Sequence, residues 1–202
     1  MAKLKAPLMS LGASGQLGKA LVFFPWKGLN VVREHVVPAN PKTTLQTAQR
    51  ARLTAAVLDV HQAQGTSPPL DATDVTAYAL LASTIKAATT WFNTLVKQLI
   101  EQAIAGLDPV VWRASTITPA ANQITFVLLP THTSPTTVTC KYGTSKTALV
   151  NSVAAAEAPA GTWTAVIAGL TDDVKYYFQM KPTAPAGVVG ANSGIYHAVA
   201  GA

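Results

Sequence analysis

The sequence predicts an α+β chain in three parts: an N-terminal extended arm and β-hairpin, a helical hairpin, and a C-terminal seven-stranded antiparallel β-sandwich. Valine- and phenylalanine-rich runs flank a Lys27-Gly28 turn near the start. Apolar residues then recur at helical spacing as far as Gly106. After Asp108-Pro109 that period gives way to short runs alternating at period two, separated by Pro, Gly, Asn and Thr clusters. The predicted division is residues 1–40, 41–108 and 109–202.

Residues 1–17 hold Gly, Ser, Pro and two lysines, which predicts an extended arm with little structure of its own. Lys19 to Trp26 and Leu29 to Val37 read as the two strands of a hairpin, with Gly28 at the φ > 0 position of its turn. In the second strand Val32, Glu34 and Val36 share one side, and Val31, Arg33, His35 and Val37 the other. Neither face is wholly apolar, so the hairpin is expected to pack on the helices or to add strands to a neighbouring subunit. Pro38 and Pro41 end it, because proline cannot donate to a ladder.

Thr43 and Gln46 have capping-box spacing and open a helix running to about Gln64, with Leu45, Ala48, Ala55, Leu58 and the stem of Arg52 on one face. The Gly65 to Pro69 segment breaks it. Asp71 or Thr73 then caps a longer helix with Asp74 in its first turn, where the helix dipole favours a carboxylate. Val75, Tyr78, Ala82, Ile85, Thr89, Phe92, Val96, Leu99 and Ala103 alternate in steps of three and four along it. That stripe suits either an antiparallel hairpin with the first helix or a self-associating coil, with Thr89-Thr90 as a point of interruption.

Seven strands are predicted beyond Pro109: 110–115, 123–129, 136–142, 147–153, 161–168, 176–182 and 194–199. Val138, Cys140 and Tyr142 on one, and Phe178 and Met180 on another, would face inward opposite Trp163 and Ile167. Leu170 precedes Tyr176 by six residues, the spacing of a corner in which a tyrosine hydroxyl bonds back to the chain. On these residues the segment 109–202 resembles a fibronectin type III domain, with Phe126-Val127-Leu128 in place of the usual second-strand tryptophan.

Gly15 and Gly18, Trp26-Lys27-Gly28, Val32-Arg33, Asn40-Pro41-Lys42-Thr43 and Gln46-Thr47-Ala48-Gln49-Arg50 follow one another within residues 15–52. This run resembles a family of uncharacterised proteins encoded among the structural genes of tailed bacteriophages and prophages, and the resemblance implies a virion or virion-associated role.

The chain has a net charge of +6 and one cysteine, Cys140, which can pair only with another molecule. Charged residues are 12% of it, about half the usual share, which suits surfaces buried between subunits. Residues 1–60 hold eight Lys/Arg against two acids, but the basic residues are scattered and no nucleic-acid site is expected. No apolar run reaches the ~18 residues of a membrane span, and no signal peptide is read at the start.

Patterns that imitate chemistry fail on context. Gly12-Ala-Ser-Gly15-Gln-Leu-Gly18 looks like a dinucleotide turn, but Pro7 precedes it and Pro25 follows, so no strand and helix flank it. As a phosphate loop it has one residue too many, and Ala20 stands where a magnesium-binding hydroxyl is needed. His35, His61, His132 and His197 have no i,i+4 partner, so no metal site is expected, and Asp172-Asp173 reads as turn chemistry. The expectation is a chain that is not an enzyme and has no cofactor, metal or small-molecule substrate.

The sequence thus predicts a virion structural protein, a capsid-associated or tail component made in the host cytoplasm, that self-assembles and docks on other virion proteins. Phe23, Phe24, Trp26, Val32 and Val36, with Arg33 and Arg50, are the candidate interface residues. The apolar ones serve equally as the core of a compact N-terminal domain. Rival readings are a host-surface or glycan-binding module, using the 130–135 and 182–192 loops, and a DNA-packaging protein using the basic arm.

Overall fold

A computed structural model describes residues 2–4, 14–40, 42–85, 89–107, 110–131, 135–183 and 191–201. The predicted boundary at Asp108-Pro109, Pro41 of the Asn-Pro break, the start of the glycine-rich run at Gly12 and much of the 130–135 and 182–192 loops lie outside these residues. The chain divides into two compact units, Met1–Thr43 and Thr44–Ala202. Helices and strand-rich segment therefore belong to one unit, where the sequence suggested two parts.

The first unit is a four-stranded antiparallel sheet in the order β1-β4-β3-β2, built from β1 (Ala2–Leu4), β2 (Gly15–Leu17), β3 (Leu21–Trp26) and β4 (Leu29–Glu34). The predicted hairpin is β3–β4, and both turn residues take positive φ, 49° at Lys27 and 76° at Gly28. That combination matches the right-handed strand twist, and glycine adopts it without a Cβ clash. The arm is not without structure: two short pieces of it pair as β1 on β4 and β2 on β3, covering both edges of the hairpin. Pro25 lies beyond the described pairing of β2 with β3, which starts with Gly15 opposite Phe23, so no described β2 ladder bond needs a donor at position 25.

The second unit begins with α1 (Thr44–Gly65), α2 (Ala72–Ile85) and α3 (Trp91–Ile104). The long second helix of the sequence reading is two helices. Thr90 caps α3, accepting from the Asn93 amide at 3.2 Å, which marks the interruption at Thr89-Thr90 as a true helix start. Tyr78, Ala82, Val96 and Leu99 of the expected stripe are buried within the chain, whereas Ile85 is exposed. The predicted face of α1 is also corrected, since Leu45 and Leu58 are exposed and the buried line is Ala56, Val60 and Ala63. Apolar residues surround α1, so periodicity could not select a face, and the two small alanines permit close packing.

Seven strands follow in one antiparallel order, β11-β10-β7-β8-β9-β6-β5. They are β5 (Trp112–Ala120), β6 (Gln123–Pro130), β7 (Val138–Gly143), β8 (Asn151–Glu157), β9 (Trp163–Ala168), β10 (Lys175–Pro182) and β11 (Tyr196–Val199). All seven predicted strands are present, with β8 displaced four residues from its expected start. β8 pairs first with β7 and then with β9, and a parallel bridge between Ala121 and Gly201 brings the ends of the order together. The sheet is thus nearly closed around one core of Ile124, Phe126, Leu128, Val138, Cys140, Trp163, Ile167, Phe178 and Met180. Phe126 stands edge-on to Phe178 in that core, with ring centres 4.7 Å apart.

A second core joins the helices to the strands through Val60, Tyr78, Leu95, Leu99, Val111 and Ile195. Residues 191–195 run against α2: the Ile195 amide donates to the Ala77 carbonyl at 3.0 Å. Gly194 makes that approach possible, since a Cβ there would lie 2.6 Å from the Ala77 carbonyl carbon.

Candidate functional site

The candidate interface residues fall on both faces of the first unit's sheet. Phe23 lies directly opposite Val32, so these two share a face, with Phe23 buried and Val32 half-buried. Phe24, Trp26 and Arg33 share the other, where the Arg33 guanidinium sits 5.5 Å from the centre of the Phe24 ring. Trp26 is 55% exposed, and Val36, just beyond β4, is 71% exposed. Leu21, Leu29 and Val37 are exposed as well. Arg50 belongs to the second unit, on an exposed turn of α1.

The most organised polar site escaped the sequence reading. Asp74 is fully buried at the start of α2, and Asp71 and Asp74 cap the helix reciprocally: the Asp74 amide donates to Asp71 Oδ1 at 2.8 Å and the Asp71 amide to Asp74 Oδ2 at 3.2 Å. The same carboxylate accepts from the Ala114 amide at 2.8 Å, the Ser115 amide at 3.2 Å and the Tyr196 hydroxyl at 2.8 Å. A bulge in β5 presents those two amides together, with Ala114 at φ 54° and the register to β6 shifting between Arg113 and Thr116. One side chain therefore ties α2 to β5 and β11.

The two tyrosines near Asp74 are held in their neutral form. Burial, with the nearby Asp74 charge, pushes the Tyr196 hydroxyl well above its usual pKa. Tyr78 is raised likewise, first by burial, and its hydroxyl both donates to the Trp112 carbonyl and accepts from the Trp112 amide at 3.1 Å. Arg113 donates to the Pro68 carbonyl, and burial lowers its pKa against the opposing pull of Asp74. With all four donors converging on it, the Asp74 carboxylate is engaged as a structural acceptor. The signal available in the sequence was the Asp-x-x-Asp spacing alone, because its other partners lie 40, 41 and 122 residues away.

Tyr176 accepts a hydrogen bond from the Thr171 amide at 3.1 Å, beside buried Leu170. Cys140 is buried and unpaired, and desolvation pushes its thiol up to about 12. Among the described residues, no group of three or more His, Cys, Asp or Glu side chains is placed to hold a metal ion. No helix among them is long and apolar enough to cross a membrane.

No protein-family model matches the chain, nor does any curated protein. Among solved structures it is similar to astrotactin-2, described as a conserved, vertebrate-specific, perforin-like membrane protein involved in neuronal development. That likeness has a TM-score of 0.36 and 8% identity, over 56% of this chain and 30% of the other, so the chain spans less than a third of that protein.

Proposed function

We propose that this chain is a structural subunit of a virus particle of the tailed-bacteriophage kind, capsid-associated or in the tail, working by self-association and docking on neighbouring subunits. The observation that carries the docking part is the exposure of Leu21, Trp26, Leu29, Val36 and Val37 within a unit of only 43 residues. So many large apolar groups facing water in so small a unit cost free energy until a partner covers them. The outer edges of its sheet are the short strands β1 and β2, which could accept further strands by main-chain pairing. The particle itself is supported by the sequence resemblance of residues 15–52.

For the second unit the proposal is a fibronectin type III-like sandwich carried on the assembly. The strand order and the Tyr176 bond to the Thr171 amide support this reading. Fold alone assigns no activity to it. Replacing Trp26 with a photo-crosslinking phenylalanine analogue should yield chain-to-chain adducts on irradiation of the purified protein. Adducts formed equally well from a control site on exposed α1, such as Thr54, would count against a specific interface.

A further inference from the structure

Away from the Asp74 junction, a second concave site lies between the helices and the outward face of the strands. β7 and β10 pair with Lys141 opposite Gln179 and Thr139 opposite Lys181. Lys141 and Lys181 are thus diagonal neighbours on one face of the sheet, about 7–8 Å apart at their backbones. That face is the one turned away from the Cys140 and Met180 core. The two lysines, with Lys146 from the turn after β7, line a cavity of about 440 Å³ whose opposite wall includes Leu81 and Thr84 of α2 and Gln98 of α3.

The charge balance is one-sided. Three lysines and no carboxylate are among the described lining residues. Lys146 Nζ donates to Ser83 Oγ at 3.1 Å, a neutral partner that leaves its charge uncompensated. Lys181, half-buried, has its pKa lowered, first by burial and then by the charge of the exposed Lys141. Nothing in folding rewards like charges gathered on one recess without a carboxylate among its described lining residues, whereas a bound anion relieves the repulsion directly.

The lining also sets the shape of the anion. Gln98, Thr84, Thr147 and Asn192 supply amides and hydroxyls, and no aromatic side chain is among the described lining residues. Nucleobases, and neutral sugars held by ring stacking, are poorly served by such a wall. A volume near the lower end of the ~300–1,000 Å³ range of small-molecule sites suits a ligand of monosaccharide size.

We propose that this recess binds a small hydroxylated anion of monosaccharide size, an acidic sugar or a sugar phosphate, with Lys141, Lys146 and Lys181 around its charged group. The site does not depend on assembly through the first unit. Its test is a titration of the full ¹⁵N-labelled chain at low salt with D-glucuronate, D-glucose 6-phosphate, inorganic phosphate and, as the neutral control, D-glucose. Saturable amide shifts at Gln179, Lys181 and Lys146 are expected with glucuronate or glucose 6-phosphate, at least about tenfold tighter than with glucose. Lys141→Gln combined with Lys181→Gln should weaken that binding by about tenfold or more, with the folded spectrum retained. If those substitutions perturb the spectrum, Lys146→Gln in the turn replaces them, with weaker binding again expected. No saturable shift at about 10 mM of either charged sugar, or equal binding by the lysine variants, would overturn the site. Inorganic phosphate bound as tightly as glucose 6-phosphate would overturn the sugar-reading role of the amide and hydroxyl wall.

Discussion

Replacing Asp74 with asparagine changes almost no volume, yet it should be among the most damaging single substitutions in the second unit. Oδ2 accepts the Asp71 and Ala114 amides, and Oδ1 the Ser115 amide and the Tyr196 hydroxyl. An asparagine amide turned either way puts its NH₂ where two donors already point. With the NH₂ toward Asp71 and Ala114, two backbone amides lose their acceptor. With it toward Tyr196, the phenol can become an acceptor by rotating its own hydrogen away, and the Ser115 amide alone is orphaned. Each buried unsatisfied donor costs about 1–3 kcal/mol, and the surviving bonds lose their charge assistance. We therefore expect a loss of about 2–4 kcal/mol, and about 3–5 kcal/mol for Asp74→Ala, which strands every donor and removes the cap. Tyr196→Phe leaves the carboxylate three amide donors and should cost less, about 1.5–3 kcal/mol. Urea unfolding followed by tryptophan fluorescence measures all three as shifts in midpoint at constant slope. An Asp74→Asn variant within about 0.5 kcal/mol of the parent protein, the range of ordinary surface substitutions, would refute the reasoning.

Gly194→Ala should destabilise by about 1–3 kcal/mol or more, read from the same urea curves, because its Cβ would meet the Ala77 and Tyr78 backbone at 2.6–2.7 Å and neither chain can yield without breaking α2 packing. Thr90→Ala removes the cap of α3 and should cost about 1 kcal/mol, with Thr90→Ser restoring most of it. Cys140, buried and with its thiol pushed up to about 12, should resist an aromatic disulfide reagent at pH 8 in the folded protein and react fully in denaturant. Fast labelling of the folded protein would show that its core opens readily.

What the sequence disclosed was local. The β3–β4 hairpin was visible because Lys27-Gly28 sits between two β-rich runs, and the inward residues of β7 and β10 because period two is unambiguous when one face is fully buried. The start of β8 was misplaced because Asn151, Ser152 and three alanines carry little strand preference, whereas Leu149-Val150 just before them carries much. Strands β1 and β2, three residues each, are too short to leave any periodic signal. Helix α1 concealed its buried face because Leu45, Leu53 and Leu58 are exposed while small alanines pack inside. The Asp74 junction and the lysine recess were illegible for a different reason: both arise where sheet register and helix packing bring together residues far apart in the chain.

The central claim, assembly through the first unit, is tested most directly by the mass of the full chain in solution, measured by light scattering across a concentration series. Trp26→Asp and Val36→Asp, made singly in the full chain, are the comparison, since both side chains are exposed and neither change should unfold the sheet. The account predicts an oligomer in the parent protein that either substitution reduces toward a monomer. A parent protein that stays monomeric at the highest concentration, or an oligomer of the same mass in both variants, would contradict it.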